Sequence, residues 1–322
     1  MERLDAFMAR AAAAYYGRGA GIGADFTTAP EISQAFGECL GLWSAVTWQA
    51  MGAPSRVIWA ELGPGRGTLM QDAHHAVSQM VPGFVAAAEL HLVETSPVLR
   101  AMQKGRLGRR VTAWHDHVDA LPDGPLIVLA NEFFDALPIR QFVHRGGQWF
   151  ERWVKEGIFL DRPAELALAA PEGAVWEVSE AAAAVTTTLA TRLARHGGVL
   201  LILDYGPSVS GFGDTLQAMS GGKRADPLAE PGSVDITAHV DFAALVQAGS
   251  CTTAYGPLPM GLFLQRLGLM ARSAMLARSE PSQAGNILSA AQRLVAPEGM
   301  GRLFKALALS HPALPAPAGF EG

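Results

Sequence analysis

Ile58-Trp59-Ala60-Glu61-Leu62-Gly63-Pro64-Gly65-Arg66-Gly67-Thr68-Leu69-Met70 is the stretch on which the fold turns. Arg56 to Leu62 is short, apolar and β-prone, the pattern of a buried parallel strand. Gly63, Gly65 and Gly67 break it. From Thr68 onward Leu69, Met70, Ala73, Ala76, Val77 and Met80 recur at helical spacing. Strand, glycine turn and helix form a ligand-binding corner. The glycines let backbone approach a ligand, and the free N–H groups at the helix start attract a carboxylate or phosphate.

What is missing narrows the ligand. A phosphate-cradling loop ends in Gly-Lys-Ser/Thr, but Gly67 is followed by Thr68 and Leu69. The dinucleotide pattern G-x-G-x-x-G, started at Gly63, finds Thr68 at its third glycine position. Glu61-x-Gly63-x-Gly65-x-Gly67 instead resembles the first motif of the class I methyltransferases, which bind S-adenosylmethionine (SAM). The apolar run Leu90 to Val93 then ends in Glu94-Thr95-Ser96-Pro97, and a carboxylate at a second strand tip can accept from both hydroxyls of a ribose. The interval from Gly67 to Glu94, 94 − 67 = 27 residues, exceeds the ~20 of the dinucleotide fingerprint, and Pro82-Gly83 marks where the extra residues loop out. Taken singly, each feature has a plainer reading: an ordinary glycine-rich turn, a solvated strand-end glutamate.

The chain has 322 residues, 49% hydrophobic and 17% charged, enough for one large core with an added lobe or for two domains. A net charge of −5 argues against a general nucleic-acid binder. Cys39 and Cys251 are alone and far apart, which implies neither a disulfide framework nor a cysteine metal site. Met1 to Asp5 is charged from the outset, and Ala11 to Ala14 is too short for a signal-peptide core. Leu258 to Met270 is interrupted by Gln265 and Arg266 and is too short to span a bilayer. A cytoplasmic protein without membrane insertion is expected.

Residues 1–50 read as an N-terminal helical segment contributing to the site. A helix over 5–16 meets the glycine-rich loop Gly17 to Gly23. A second helix, capped by Thr27 or Thr28 with Pro30 and Glu31 in its first turn, carries Ile32, Phe36, Leu40 and Trp43 inward. Residues 51–207 read as a Rossmann-like core. Pro97 to Lys104 is helical, and Arg110 to Trp114 is a strand closing on His115-Asp116-His117. Two histidines on one strand face, with no third ligand nearby in sequence, make a poor metal site.

Leu126 to Ala130 is a buried strand that runs into Asn131-Glu132-Phe133-Phe134-Asp135-Ala136-Leu137-Pro138. In open α/β sheets, ligands bind beyond the carboxyl ends of such strands. An amide, two carboxylates and two aromatic rings there suit a cationic or hydrogen-bonding substrate. Ile139 to Val143 and Gln148 to Val154 form a β-hairpin, an insertion over 139–160. Glu177 to His196 is a long helix. Val199 to Leu203 is a strand ending in Asp204-Tyr205-Gly206-Pro207. Residues 208–310 read as a lid loop (208–233) followed by a mainly helical substrate lobe with the final core strands. Its helices fall near 261–279, 283–295 and 298–309, and 311–322 is a loose tail.

Together these blocks resemble the MidA family of SAM-dependent methyltransferases, which includes the mitochondrial complex I assembly factor that methylates an arginine. The resemblance rests on Asp25-Phe-Thr-Thr-Ala-Pro-Glu-Ile-Ser, the Glu61 to Met70 corner, Val93-Glu-Thr-Ser-Pro, the Asn131 to Pro138 block, Leu203-Asp-Tyr-Gly, Asp235-Ile-Thr-Ala-His-Val-Asp-Phe and Met300-Gly-Arg-Leu-Phe-Lys-Ala-Leu. Departures are Ala24 for a glycine, Leu258-Pro259-Met260 for a Thr-Gln pair, and Arg302 for an acidic residue. The resemblance implies an α/β class I methyltransferase fold using SAM as cofactor. Glu61, Gly63, Gly65, Gly67 and Glu94 would hold SAM, with Asn131 and His115 or Asp116 nearby. Glu132, Asp135, Asp204 and Tyr205 would face an arginine of a protein substrate, such as a complex I core subunit. The rival expectation is a non-catalytic assembly chaperone that keeps the SAM pocket. The resemblance leaves the oligomeric state open.

Overall fold

The computed structural model describes residues 1–18 and 27–321. Most of the Gly17 to Gly23 loop, together with Ala24, Asp25 and Phe26, lies outside them. Among the described residues seven strands build the main sheet: β1 (Val57–Leu62), β2 (Ala88–Val93), β3 (Val111–His115), β4 (Leu126–Asn131), β5 (Gly198–Tyr205), β6 (Thr253–Pro259) and β7 (Phe304–Ser310). Their order is β6-β7-β5-β4-β1-β2-β3. β4 lies parallel to both β1 and β5, and β1, β2 and β3 are parallel neighbours. β7 is antiparallel to both of its neighbours.

Every residue of β1 and β4 is buried, as expected of strands covered on both faces. Alternation then assigns side chains to two cores. Trp59, Ile127, Leu129 and Leu201 belong to one, together with Phe36, Leu40, Trp43 and Leu69. Ile58, Val128, Leu200 and Ile202 belong to the other, with Leu189 and Leu193.

Helix α1 (Leu4–Gly17) buries Leu4, Phe7, Met8, Ala11 and Tyr15. The expected second helix is split. A short α2 (Ala29–Ile32) follows Thr28, whose side chain makes no capping bond, and Ser33 in an extended conformation separates it from α3 (Gln34–Ala50). α3 packs on α4 (Thr68–Met80) through its glycines: a Cβ on Gly41 would sit 2.5 Å from the Ala73 carbonyl oxygen. α5 (Pro97–Leu107) is capped by Ser96, whose Oγ accepts from Leu99 N at 3.3 Å.

Several expectations give way. The hairpin insertion is larger than 139–160. Arg140–Arg145 and Gln148–Lys155 are joined by Ile158–Ala164 and Val175–Val178 in a second sheet, completed by Glu2–Arg3. Pairing of 175–178 with 140–143 therefore delays the long helix α6 to Glu180–His196, where Ser179 caps it. The 208–233 stretch is not simply a loop. Gln217–Ser220 and Lys223–Ala225 are strands that form a small sheet with Asp235–Thr237.

Residues 298–309, expected to be helical, hold only one turn (Met300–Leu303) before β7. Two strand partners and burial of Ala306 to Leu309 outweigh the helical propensity of alanine and leucine. The tail is docked rather than loose. Phe320 packs on Phe263 with ring centroids 5.0 Å apart, and Trp43 Nε1 donates to the Ala318 carbonyl at 3.0 Å. Among the described residues no helix is long and apolar enough to cross a membrane.

Candidate active site

The sheet order reverses between β1 and β4, and a crevice opens there beyond the strand ends. It is a cavity of about 890 Å³, lined among others by Glu61, Gly63, Gly65, Glu94, Asp116, Asn131, Glu132, Asp135 and Tyr205. α1 covers it with Ala9, Ala12, Ala13 and Tyr16.

The glycine corner has the conformation that its composition demands. Gly63, Gly65 and Gly67 have φ of +57°, +50° and +78°, the left-handed region that side chains disfavour. At Gly63 a Cβ would also stand 2.9 Å from the Phe133 ring. Gly67 N–H donates to the Pro64 carbonyl at 2.7 Å, closing the turn into α4. Gly67 supports this turn but does not itself line the cavity.

Glu61, at the end of β1, is 4% exposed, and its Oε2 has no hydrogen-bond partner. Burial, then the charge of Glu94, pushes its carboxyl up to about 8. Asn131 Oδ1 is likewise buried and unpartnered. Two orphaned acceptors on one cavity are costly unless a donor meets them. An ammonium group, with three N–H donors and a positive charge, fits that need.

At the end of the neighbouring strand β2 the Glu94 carboxylate is held in place. Oε1 accepts from Ser96 N at 2.8 Å, and Oε2 from Gln103 Nε2 at 3.3 Å. The backbone N–H of Thr95 also favours the ionised carboxylate, and a carboxylate's about four acceptor positions leave room for a ribose hydroxyl beside these donors. Burial is the largest influence on Glu94 and raises its pKa, against the pull of these donors. An ammonium acceptor, a hydroxyl acceptor and a glycine turn between them fit the amino-acid end and ribose of SAM.

The acceptor end is built from β4 and β5. Glu132 is a non-glycine residue with φ +49°, a conformation that persists only where surroundings impose it. Its N–H donates to the Leu203 carbonyl at 2.9 Å, and its Oε1 accepts from Ala29 N at 2.9 Å and Asn131 Nδ2 at 3.3 Å. Burial raises the carboxyl to about 7, with Ala29 N opposing. Asp135 is raised further, by burial and then by the charge of Asp204. The Tyr205 hydroxyl donates to Thr237 Oγ1 at 2.8 Å.

Two site expectations are corrected. Asp204 does not line the cavity. It is fully buried, and its Oδ2 accepts from Phe133 N, Phe134 N and Asp135 N at 3.2, 2.9 and 3.3 Å, so it clamps the 132–135 loop. Burial raises the Asp204 carboxyl to about 7, but these donors oppose it and leave Asp135, raised well above the usual range, as the member of the pair that holds a proton. His115 also lies off the cavity. Its Nε2 is 2.9 Å from His91 Nδ1, between neighbouring strands. Asp116 does line the cavity, paired with Arg100 at 2.8 Å.

Other residues carry the site without having been singled out. Gln103 is completely buried in α5. It donates to the Gly65 carbonyl at 2.7 Å and to Glu94, and accepts from Trp114 Nε1 at 2.8 Å. It thus ties the glycine turn to the Glu94 carboxylate. Tyr16 donates to Asp235 at 2.8 Å, and its carbonyl accepts from Ser96 Oγ at 2.7 Å, which pins α1 over the cavity. Tyr16, Asp235 and Thr237 all face that cavity. The Asp235-Ile236-Thr237 block was visible in sequence, but nothing local told which of its side chains would turn toward β4.

A family model for S-adenosyl-L-methionine-dependent methyltransferases matches residues 39–258. The protein arginine methyltransferase NDUFAF7 homolog, mitochondrial, of Drosophila melanogaster is 35% identical over 337 residues, covering 88% of this chain and 74% of that protein. The human protein arginine methyltransferase NDUFAF7, mitochondrial, is 32% identical over 88% of this chain and 73% of its own length. A crystal structure from Burkholderia thailandensis, of a methyltransferase-type protein bound to S-adenosyl-homocysteine, superposes with a TM-score of 0.77 at 29% identity. It covers 93% of this chain and 80% of that one.

Proposed function

This chain belongs to that family of SAM-dependent methyltransferases, and from that premise we propose that it methylates an arginine side chain of a partner protein. The observation that carries the proposal is the acceptor end of the cavity, where the buried carboxyl of Asp135 and the half-buried carboxyl of Glu132 stand beside Tyr205 and Asp235. Carboxyls raised by burial are waiting for a cation. A guanidinium supplies one, with N–H donors in a planar fork that matches carboxylate geometry.

When bound, SAM supplies an electrophilic methyl group on a sulfonium. The protein's task is to hold a guanidinium nitrogen in line and relieve it of a proton. Glu132 Oε1 is occupied by Ala29 N and Asn131 Nδ2, so Oε2 is the oxygen offered to the substrate. Accepting N–H there orients the fork and offsets its charge. The Glu132 carboxylate then takes the nitrogen's departing proton, and its pKa, raised to about 7, suits it as a base near neutrality. α1, pinned by Tyr16, keeps water from the reacting atoms. The favoured partner is a respiratory complex I subunit, on the resemblance to the assembly-factor family, and the proposed site of action is the cytoplasm.

The test is transfer from methyl-labelled SAM to arginine-bearing proteins in a lysate, with methylarginine identified by mass spectrometry. Glu132→Gln is expected to keep S-adenosyl-homocysteine affinity and lose about 10²–10⁴-fold in methyl transfer, the usual range for a positioned acid–base group. Transfer to lysine, or an unchanged rate in Glu132→Gln, overturns the proposal. Tight client binding without any transfer establishes the chaperone instead.

A further inference from the structure

A second concavity of about 760 Å³ lies behind the strand-end wall of the first. The wall is thin. Phe134, Ile139, Gly206 and Ala238 line the second concavity, while their sequence neighbours Asp135, Pro138, Tyr205 and Thr237 line the first. One side of the groove is aromatic, with the Trp176 and Phe212 rings 5.7 Å apart. The groove's lining also includes Arg302, Leu303 and Lys305. Phe212 and Leu303 are 42% and 51% exposed, large apolar side chains open to solvent in the lining of one groove.

The formal charges at this groove balance, Glu177 and Asp241 against Arg302 and Lys305, but among the described residues the acids and the bases do not pair with one another. Its two acids are already engaged: Glu177 accepts from Gln141 Nε2, Thr215 N and Thr215 Oγ1, and Asp241 Oδ1 accepts from Ala244 N and Ser210 Oγ. Among the described residues neither Arg302 nor Lys305 forms an ion pair. Lys305 Nζ donates to the Arg302 and Leu303 carbonyls, which leaves one of its three N–H groups. His239, which also lines the groove, is held toward its neutral form by burial. The groove therefore pairs unsatisfied cationic side chains with an aromatic wall, in a chain whose net charge is −5.

We propose that this groove docks an acidic segment of the methyl-acceptor protein that carries an aromatic or large aliphatic side chain. The acids pair with Arg302 and Lys305, and the apolar residue covers Phe212 and Leu303. Exposed aromatic anchors ringed by complementary charge are the usual makings of a recognition surface. The groove backs directly onto the acceptor end, so a segment held there keeps the rest of its chain close to the reaction cavity and raises the local concentration of the target arginine. The inference rests on the reading that the methyl acceptor is a protein.

The probe is a fluorescein-labelled peptide Glu-Asp-Phe-Glu-Asp-Leu-Glu, compared with the same peptide bearing lysine at every acidic position. Anisotropy is read on the whole protein saturated with S-adenosyl-homocysteine. The acidic peptide is expected to bind, more weakly as salt rises, and the lysine peptide to bind at least tenfold less tightly. Arg302→Glu with Lys305→Glu is expected to reduce acidic-peptide affinity tenfold or more, and Phe212→Ala to reduce it as well. S-adenosyl-homocysteine affinity should be unchanged in both variants, which shows that each has folded. Equal binding of the two peptides, or equal binding by wild type and charge-reversed protein, overturns the proposal. The two readings separate cleanly. Acidic-peptide binding lost on charge reversal, with no arginine methylated by wild type, keeps the groove and removes the arginine reading. Arginine transfer at an unchanged KM in the charge-reversed protein does the opposite.

Discussion

Replacing Glu94 by glutamine tests the cofactor site more sharply than removing the side chain. The carboxylate offers about four acceptor positions. Ser96 N takes one on Oε1 and Gln103 Nε2 takes one on Oε2, with Thr95 N–H beside them, and the remaining capacity is what a ribose hydroxyl would use. Glutamine has the same outline but only one oxygen. Its amide nitrogen must face either Ser96 N or Gln103 Nε2, donor against donor. One protein bond and one ligand bond are then lost together. Hydrogen bonds to charged groups contribute roughly 1.5–3 kcal/mol, and a buried unmet donor costs about 1–3 kcal/mol. Since the free protein bears part of that second cost too, the loss in binding is about 2–4 kcal/mol, roughly 30- to 1000-fold in Kd. Glu94→Ala should fall in the same range. Calorimetric titration with S-adenosyl-homocysteine reads both. A Glu94→Gln protein that binds within threefold of wild type would refute the assignment of Glu94 to the ribose.

The pH dependence has a definite sign. Glu61 is raised from 4.5 to about 8 and Glu132 to about 7, so between those limits the folded protein holds protons that the unfolded chain has released. Stability of the ligand-free protein should therefore fall as pH rises from about 5 to 8, measured as a falling Tm. S-adenosyl-homocysteine, whose ammonium favours ionised Glu61, should bind more tightly across the same range, with proton release seen as a dependence of binding heat on buffer. Gly41→Ala should destabilise by about 1–3 kcal/mol, because the added Cβ meets α4 backbone that cannot rotate away; chemical denaturation checks it, and an unchanged midpoint contradicts the close packing of α3 on α4. Asp204→Ala should lower Tm and slow transfer together, since three backbone N–H groups lose their acceptor; a loss of transfer with unchanged Tm would return Asp204 to the chemistry. The 208–233 stretch should exchange amide hydrogen faster than β4 and β5 in the free protein and slow when acceptor docks, and uniform protection at both stages would count against a lid.

What the sequence made legible was local. Strand, glycine turn and helix are neighbours in the chain, and the acidic residue at each strand tip is read from its position after an apolar run. The same holds for Asn131 and Glu132. Legibility failed where a residue's role depends on distant partners. Asp204 has the composition of a substrate contact, but its carboxylate points at backbone N–H groups some seventy positions earlier in the chain. Gln103 sits in an unremarked helix, and only the fold brings it to Gly65 and Glu94. Phe304–Ser310 reads as helix by propensity and becomes strand because β5 and β6 both present open edges to it. The tail looked unstructured for want of a pattern, although Phe320 needs only one aromatic neighbour to hold it.

The position of β7 bears on how the molecule is made. Its pairing with both β5 and β6 means that a growing chain cannot complete the sheet until residues 304–310 have left the ribosome. Until then β5 keeps an unpaired, apolar edge, and β6 has no strand to join. Contacts between residues near 200 and near 310 are distant along the chain, which slows their formation. The nascent protein therefore passes through a stage with its SAM-binding half assembled and one sheet edge exposed to other chains. Truncation just before Phe304 should trap that stage as a form that associates with chaperones, or with itself.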